Sequence, residues 1–452
     1  EDMDANDNDS GGKKYMSDPN AYDRWKTLVP YLYDFFTNHK LYWPALSCRW
    51  GTILQKQTYK NRQYVFLSEQ TDGSEPNKII ISLADVVKPR VATAESLSLF
   101  HEDHRSPFIR RHKVIFHPGE VNKISECPCK PSIIATHTDS PLTYVWDVEK
   151  QKNRNNDKNL ETSRADLVLE GHEDNAEFAL ASSKKSAVFA SGGKDKLVVL
   201  WSLEDTSSLF DTNKSVEGRS SWNSGGSGYT DPPHLDARAK FKGHTDTVEE
   251  VAFHPESSDQ LVSVGDDKSV LFWDVRAGDT PVMSVLNAHS NDVQCVHWSA
   301  LENNYILTGS ADSTVNLFDC RKIGKKDSKP LKTFSHHTGP ILRLEWSPYK
   351  KDVFASAGED GLLNVWDLQK SNRQGDAPKE LLFQHAGHRA QIVDFQWNPE
   401  DPWTILSLSN DQEVGAGGTL QIWRMNDLLY RPQDEVLSEL VKARDSLGAS
   451  AG

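Results

Sequence analysis

A chain of 452 residues with 65 Asp and Glu against 51 Lys and Arg carries a net charge of −14, which favours basic partners and argues against direct nucleic-acid binding, where a basic face is usual. No run reaches the ~18 uninterrupted apolar residues of a membrane helix, so a soluble protein with no membrane partner is expected. Five scattered cysteines, Cys48, Cys127, Cys129, Cys295 and Cys320, fit free thiols in a reducing compartment; Cys127-Pro128-Cys129 has no second half at zinc spacing and reads as a surface turn.

Residues 1–17, rich in Asp, Asn, Gly and Lys, are expected to be a disordered tail, and because the chain opens on Glu1 an upstream basic targeting segment is conceivable. From 18 to 40 the spacing predicts one helix. Tyr22, Trp25, Leu28, Val29, Leu32, Phe35 and Phe36 recur at helical intervals, and Pro30, lacking an N–H, kinks or restarts it. "LSCRWG", "QYVFLSEQ" and "NKIIISLADVV" read as strands, and residues 88–112 as a polar loop. Residues 113–147 form a degenerate first repeat, in which "HPGEV" replaces a Gly-His start and Ser140 stands at the position of a turn Asp.

The repeats that follow obey one ruler. His244 is followed twenty-three residues later by Asp267, with Ser263 four before that Asp and Trp273 six after it. His172, Asp195, Ser191 and Trp201 keep the spacing, as do His289, Asp312, Thr308 and Phe318; His337, Asp360, Ser356 and Trp366; and His388, Asp411 and Ser407. A His shared between a turn Asp and a buried hydroxyl, with a Trp N–H on that hydroxyl, is stabilising only when each member is satisfied, so the separations are fixed. This is the signature of WD-repeat propellers and assigns these His and Asp residues to holding blades together.

Blades are placed at 165–203, 240–276, 285–321, 331–368 and 381–424, and the early strands supply the rest of a seventh. The expected fold is all-β: a seven-bladed WD-repeat propeller over 41–425, an N-terminal helix over 18–40, and a short C-terminal helix within 426–452 built on Val436, Leu437, Leu440 and Val441. One terminus is expected to donate a strand to the other end's blade. The insert 204–239 is expected to be disordered, and 369–380 and 413–419 are further excursions. No nucleophile elbow, phosphate loop or metal-ligand spacing is found, and His385 and His388 belong to a strand and a blade cap, so neither an enzyme nor a cofactor is expected.

"YDRWKTLVPYLYDFFTNHKLYWPALSCRW", "HPGEVNK", "GHTDTVEEVAFH", "TGSADSTVNLFD" and "ELLFQHAGHRAQIVDFQWNPEDPW" resemble the retinoblastoma-associated, histone-binding WD-repeat proteins over about residues 20–432. Within that family "LSEQTDGS", "GHEDNAEFALA", "GAGGTLQIWRM" and "LLYRP" are most similar to the plant flowering-time members. The resemblance implies a non-enzymatic nuclear scaffold serving histone deacetylases, Polycomb-like methyltransferases or nucleosome-assembly factors in repression, with a retinoblastoma-type protein among further partners. It implies two histone sites. A groove for a core-histone helix would use Leu28, Leu32, Phe35 and Phe36 with Leu382 and Phe383 opposite, although Arg373 and Lys379 offset Asp376 and Glu380 where the family loop is acidic. A histone tail would lie over the central channel against Glu120, Asn122, Phe178, Glu249, Asp266, Asp292 and Gln294, while Pro340 and Leu342 depart from the family pattern. Asp274 and Arg276, with Asp319 and Arg321 one blade on, resemble a box that docks WD-repeat proteins to the adaptor of a cullin ubiquitin ligase, the alternative role being that of a substrate receptor; a local Asp–Arg pair in each blade turn reads equally well.

Overall fold

Runs of apolar, β-branched and aromatic residues broken by Gly, Asp and Ser pair into seven antiparallel sheets in a computed structural model that describes residues 21–449 apart from 93–94, 96, 98–99, 176–177, 207–230, 325–327, 371–376 and 411–416. After helix α1 (Ala21–Leu32) and strand β1 (Tyr33–Lys40), blade 1 is β2 (Cys48–Lys56), β3 (Lys60–Glu69), β4 (Asn77–Val87) and β5 (Ile109–His117). Blade 2 is β6 (Lys123–Glu126), β7 (Ile133–His137), β8 (Thr143–Asp147) and β9 (Leu167–Glu170). Blade 3 begins with β10 (Leu180–Ser182), β11 (Val188–Gly192) and β12 (Leu197–Ser202); β13 (His234–Asp236) returns to blade 2, and β14 (Ala239–Lys242) completes blade 3. Blade 4 is β15 (Val248–Phe253), β16 (Gln260–Gly265), β17 (Val270–Asp274) and β18 (Met283–Val285), and blade 5 is β19 (Val293–Trp298), β20 (Tyr305–Ser310), β21 (Thr314–Asp319) and β22 (Lys332–Ser335). Blade 6 is β23 (Ile341–Trp346), β24 (Val353–Gly358), β25 (Leu363–Asp367) and β26 (Leu381–His385). Blade 7 contains β27 (Ile392–Trp397), β28 (Thr404–Ser409) and β29 (Thr419–Met425), and helix α2 (Gln433–Ala449) follows. The first strands of successive blades touch around a full circle, β27 meeting β2.

The helix expected over 18–40 ends at Leu32. Tyr33–Lys40 is instead the outer strand of blade 7, antiparallel to β29 from Tyr33 opposite Met425 to Lys40 opposite Thr419. Without it β29 would present an unpaired edge. Because β1 lies between two cores, both its faces are covered: Tyr33 and Phe36 join the cluster of blades 6 and 7, and Phe35 joins that of blades 7 and 1. Buried Arg424 fixes the change of conformation, donating to Asp34 at 2.9 Å, to Asp401 at 2.9 Å and to the Val87 carbonyl at 2.7 Å. A hydrogen-bond chain continues the closure. Trp25 donates to the Tyr33 hydroxyl at 2.9 Å, that hydroxyl donates to His385 Nδ1 at 2.6 Å, and His385 Nε2 donates to Gln421 at 2.8 Å. Burial pushes the His385 pKa down to about 3, in keeping with a neutral ring in that chain.

Two further expectations are corrected. The loop placed at 88–112 ends at Phe108, because Ile109–His117 pairs with β4. The insert 204–239 is structured at both ends: Leu203–Thr206 is a 3₁₀ turn, His234–Asp236 adds a parallel fifth strand against β9, and Ala239–Lys242 pairs with β12; its residues 207–230, like the tail 1–17, lie outside the described residues.

The ruler corresponds to real bonds. His244 Nδ1 donates to Asp267 at 2.9 Å, Ser263 donates to His244 Nε2 at 2.7 Å, and Trp273 donates to Ser263 Oγ at 2.8 Å; the indole can only donate, and that sets the direction of the chain. The degenerate repeat keeps it, with His117 on Thr136 at 2.8 Å and Trp146 on the same hydroxyl at 2.9 Å. Blade 3 departs from it, since Trp201 donates to the Glu170 carbonyl instead of Ser191. In blade 7 His388 meets Ser407 and Thr419, each at 2.8 Å, while Asp411 lies outside the described residues.

Across the channel, charges from five blades form a belt. Arg49 meets Asp394 at 2.5 Å and Glu126 at 3.5 Å, Arg343 meets Glu250 at 2.6 Å and Asp394 at 3.3 Å, and Lys123 meets Glu250 at 2.9 Å. Burial pushes the Asp394 carboxyl up, but Arg49 and Arg343 together hold it below the usual range.

Candidate functional site

The rim at which each blade His meets its turn Asp is built by repetition. In blade 4 the first strand bulges so that Val248 opposes Gly265 and Glu250 opposes Val264, leaving Glu249 unopposed. Gln294, Leu342 and Val393 occupy the same bulge in blades 5, 6 and 7. Such a bulge re-aims one side chain without ending the strand. The residue before each turn Asp also keeps one place: the N–H of Asp266 donates to Thr247, that of Ala311 to Asp292 and that of Glu359 to Pro340, at 2.9–3.0 Å.

On this rim Glu120, Glu249, Asp266, Asp292 and Gln294 are half-buried, Asn122 is buried and Phe178 is 42% exposed. Three of the acids act on one another. Burial and then the charges of Asp292, Asp246 and Asp267 push the Asp266 pKa up to about 6, and among the described residues no Lys or Arg lies within ion-pair distance of Asp246, Asp266 or Asp292. Asp267 is already engaged with His244. The Gln294 carbonyl oxygen is buried with no partner among the described residues. Such a surface is charged for a cation: a bound Lys or Arg would favour the ionised form of Asp266 and form charge-assisted hydrogen bonds. Asp246 and Glu359 were missed in the sequence, although the ruler locates Glu359 one residue before Asp360, the place Asp266 holds before Asp267.

On the side of the ring, α1 buries Tyr22, Trp25 and Val29 and turns Leu28, 48% exposed, and Tyr31, 75% exposed, outward. Leu32 and Leu382 lie half-buried at the margin of the same cluster. Phe35, Phe36 and Phe383 do not line a surface: all three are buried, Phe36 edge-on to Phe100 at 4.8 Å and Phe35 against Phe108 at 5.7 Å. The reason is the strand at 33–40, whose alternate side chains enter cores on both sides, whereas a helix would have shown one face outward. The candidate apolar strip is therefore Leu28, Tyr31, Leu32 and Leu382. Arg373 and Asp376 lie outside the described residues, and Glu380 pairs with Lys332.

Residues 20–88, which hold α1, β1 and most of blade 1, match the family model of the histone-binding protein RBBP4, equivalently a component of the CAF1 complex. The WD domain, G-beta repeat model matches 165–202, 236–274, 280–319 and 328–367. WD-40 repeat-containing protein MSI4 of Arabidopsis thaliana is 51% identical over 441 residues, covering 95% of this chain and 87% of that protein. The chain belongs to the histone-binding WD-repeat family of RBBP4 and the MSI proteins. WD-40 repeat-containing protein MSI3 of the same plant is 32% identical over 425 residues, 91% of this chain and 90% of the relative. None of these matches names a catalytic activity.

In this family member the Asp–Arg boxes lie at the opposite rim, where the third strands of blades 4 and 5 end. Arg276 donates to both carboxylate oxygens of Asp274, at 2.9 and 2.7 Å, and Arg321 to both of Asp319 at 2.8 Å. The Arg276 guanidinium holds the Asp274 carboxyl well below the usual range. Both arginine side chains remain largely exposed, at 66% and 61%. The local pair is thus made, and a charged group is presented outward on two adjacent blades.

Proposed function

We propose that this protein is a non-catalytic histone-binding member of nuclear chromatin-modifying complexes, which holds a histone tail over its acidic rim and a core-histone helix along α1 while a deacetylase or Polycomb-like methyltransferase acts in trans. The observation that carries the reading is the rim of Asp246, Asp266 and Asp292, three carboxylates without a cationic partner among the described residues, one of them raised to about 6 by burial and by the others. Glu249 on its bulge and exposed Phe178 extend that rim with a second acid and an apolar contact. Leu28, Tyr31, Leu32 and Leu382 offer the spaced apolar anchors that an amphipathic helix needs. Relatedness to MSI4 supports repression in plant development, flowering time included, and a retinoblastoma-type protein among the partners.

Calorimetry with a histone-tail peptide and a core-histone helix peptide tests both surfaces. Tail binding should be lost in Glu249→Lys/Asp266→Lys and kept in Leu28→Asp/Tyr31→Asp, and helix binding should behave in the opposite way. Failure of both peptides to bind at tens of micromolar would remove the histone reading for this family member. The outward arginines of the two boxes favour a second role as a cullin-ligase substrate receptor. That role requires adaptor binding that Arg276→Ala abolishes, and adaptor binding indifferent to Arg276 would dismiss it.

A further inference from the structure

On the side wall between blades 7 and 1 a pocket of about 260 Å³ opens between the end of β1 and the face of β4 and β5. It lies across β1 from the α1 strip, since Tyr33 and Phe36 face blade 6 whereas Leu67, Ile80 and Leu420, which floor this pocket, belong to the core of blades 7 and 1. Above that aliphatic floor stand Arg105, Arg110 and Arg111, all exposed. Arg111 is tied to Glu69 at 3.0 Å, but Arg105 and Arg110 have no ion-pair partner among the described residues. In a chain of net charge −14, three arginines around one apolar cavity mark a place where the potential reverses sign.

The remaining titratable groups keep that charge fixed. His39 in the pocket wall accepts from the Ser106 N–H at 3.1 Å, and burial followed by the positive charges of Arg105 and Arg111 pushes its pKa down to about 4, so it adds no charge near neutral pH. Asp103, the nearest acid on the loop, is neutralised by Lys40 at 2.9 Å. What the cavity lacks is therefore an anion above and an apolar group below. Duplex nucleic acid offers phosphates but no apolar side chain for the floor, and a free phosphate leaves the floor empty; a peptide supplies both.

We propose that this pocket docks an acidic peptide in trans, which inserts one aliphatic side chain between β1 and β4 and lays flanking carboxylates on Arg105 and Arg110. The probe is a fluorescein-labelled peptide of Glu and Asp around a single central Leu, titrated with the intact protein and followed by anisotropy. Saturable binding is expected. Arg105→Glu/Arg110→Glu should weaken it by at least about tenfold, as loss of charge-assisted pairs implies, without moving the thermal midpoint. Changing the central Leu of the peptide to Ser should also weaken it severalfold, whereas Glu249→Lys/Asp266→Lys on the distant rim should not weaken it. Should the double reversal fold poorly, Arg105→Gln/Arg110→Gln keeps the polar surface and carries the same expectation. Equal affinity for the Leu and Ser peptides, or for wild type and either arginine pair, overturns the proposal. Displacement of the peptide by a short DNA duplex of higher affinity also overturns it, in favour of a nucleic-acid surface.

Discussion

The channel belt and the upper rim use the same residue types to opposite ends. In the belt Asp394 and Glu250 are each shared by two cations, and the carboxylate of Asp394 stays below its usual pKa in spite of full burial. At the rim Asp266 is less buried, yet its pKa rises to about 6, because its charged neighbours are Asp292, Asp246 and Asp267. The difference lies in the partners. An acid paired inside the protein has no capacity left for a ligand, and an acid surrounded by acids gains from the first cation that arrives.

The sharpest way to break that contrast is to unpair the belt. Arg49→Met leaves Asp394 buried with one cation fewer, and urea unfolding should show a loss of about 3–5 kcal/mol, the range for removing one partner of a buried ion pair. At the rim, Glu249→Lys/Asp266→Lys should cost a histone-tail peptide about a hundredfold in affinity, roughly 2.7 kcal/mol, while the unfolding midpoint stays within error. Between these lies the blade chain: Ser263→Ala strands the Trp273 N–H and removes the donor to His244, so a loss of about 1–2 kcal/mol in the same unfolding experiment is expected. The pH dependence of tail binding sharpens the comparison further. Asp266, with a pKa of about 6, is mainly ionised at pH 7 and mainly protonated at pH 5, so affinity for a peptide titrating only on Lys and Arg should fall about tenfold as pH drops from 7 to 5. Arg276→Ala, in an exposed local pair, should leave the unfolding midpoint unchanged and show itself only if an adaptor reads the box.

The ring and its blade chains were legible because the bonds that hold them recur at fixed separations, and a separation survives in sequence. Even the degenerate repeat of His117, Thr136 and Trp146 kept its geometry where Ser140 replaced the turn Asp. The segment 33–40 was misread because Tyr33, Phe35 and Phe36 continue the helical spacing of α1, and sequence spacing cannot register that β29 needs an edge partner. That single error carried Phe35 and Phe36 to a surface they do not reach, and Tyr31 was overlooked on the one they would have occupied. The parallel strand His234–Asp236 escaped for a similar reason: three residues hold no period, and their partner is sixty-odd positions away. Asp266 was found because it is superfluous to the blade chain; Asp246 was hidden by being an ordinary turn acid, and only the mutual action of neighbouring blades gives it weight.

The strand that closes the ring also sets when the molecule becomes able to bind. Tyr33 meets Met425 across almost the whole length of the chain, so α1 cannot settle on its bed of Phe383, Trp423 and His385 until blade 7 has been synthesised. A contact of such long range is slow to form and is made once, at the end. The side strip of Leu28, Tyr31 and Leu382 therefore serves as a completion signal: a nascent or truncated chain lacks it, and a partner that reads it engages finished propellers only.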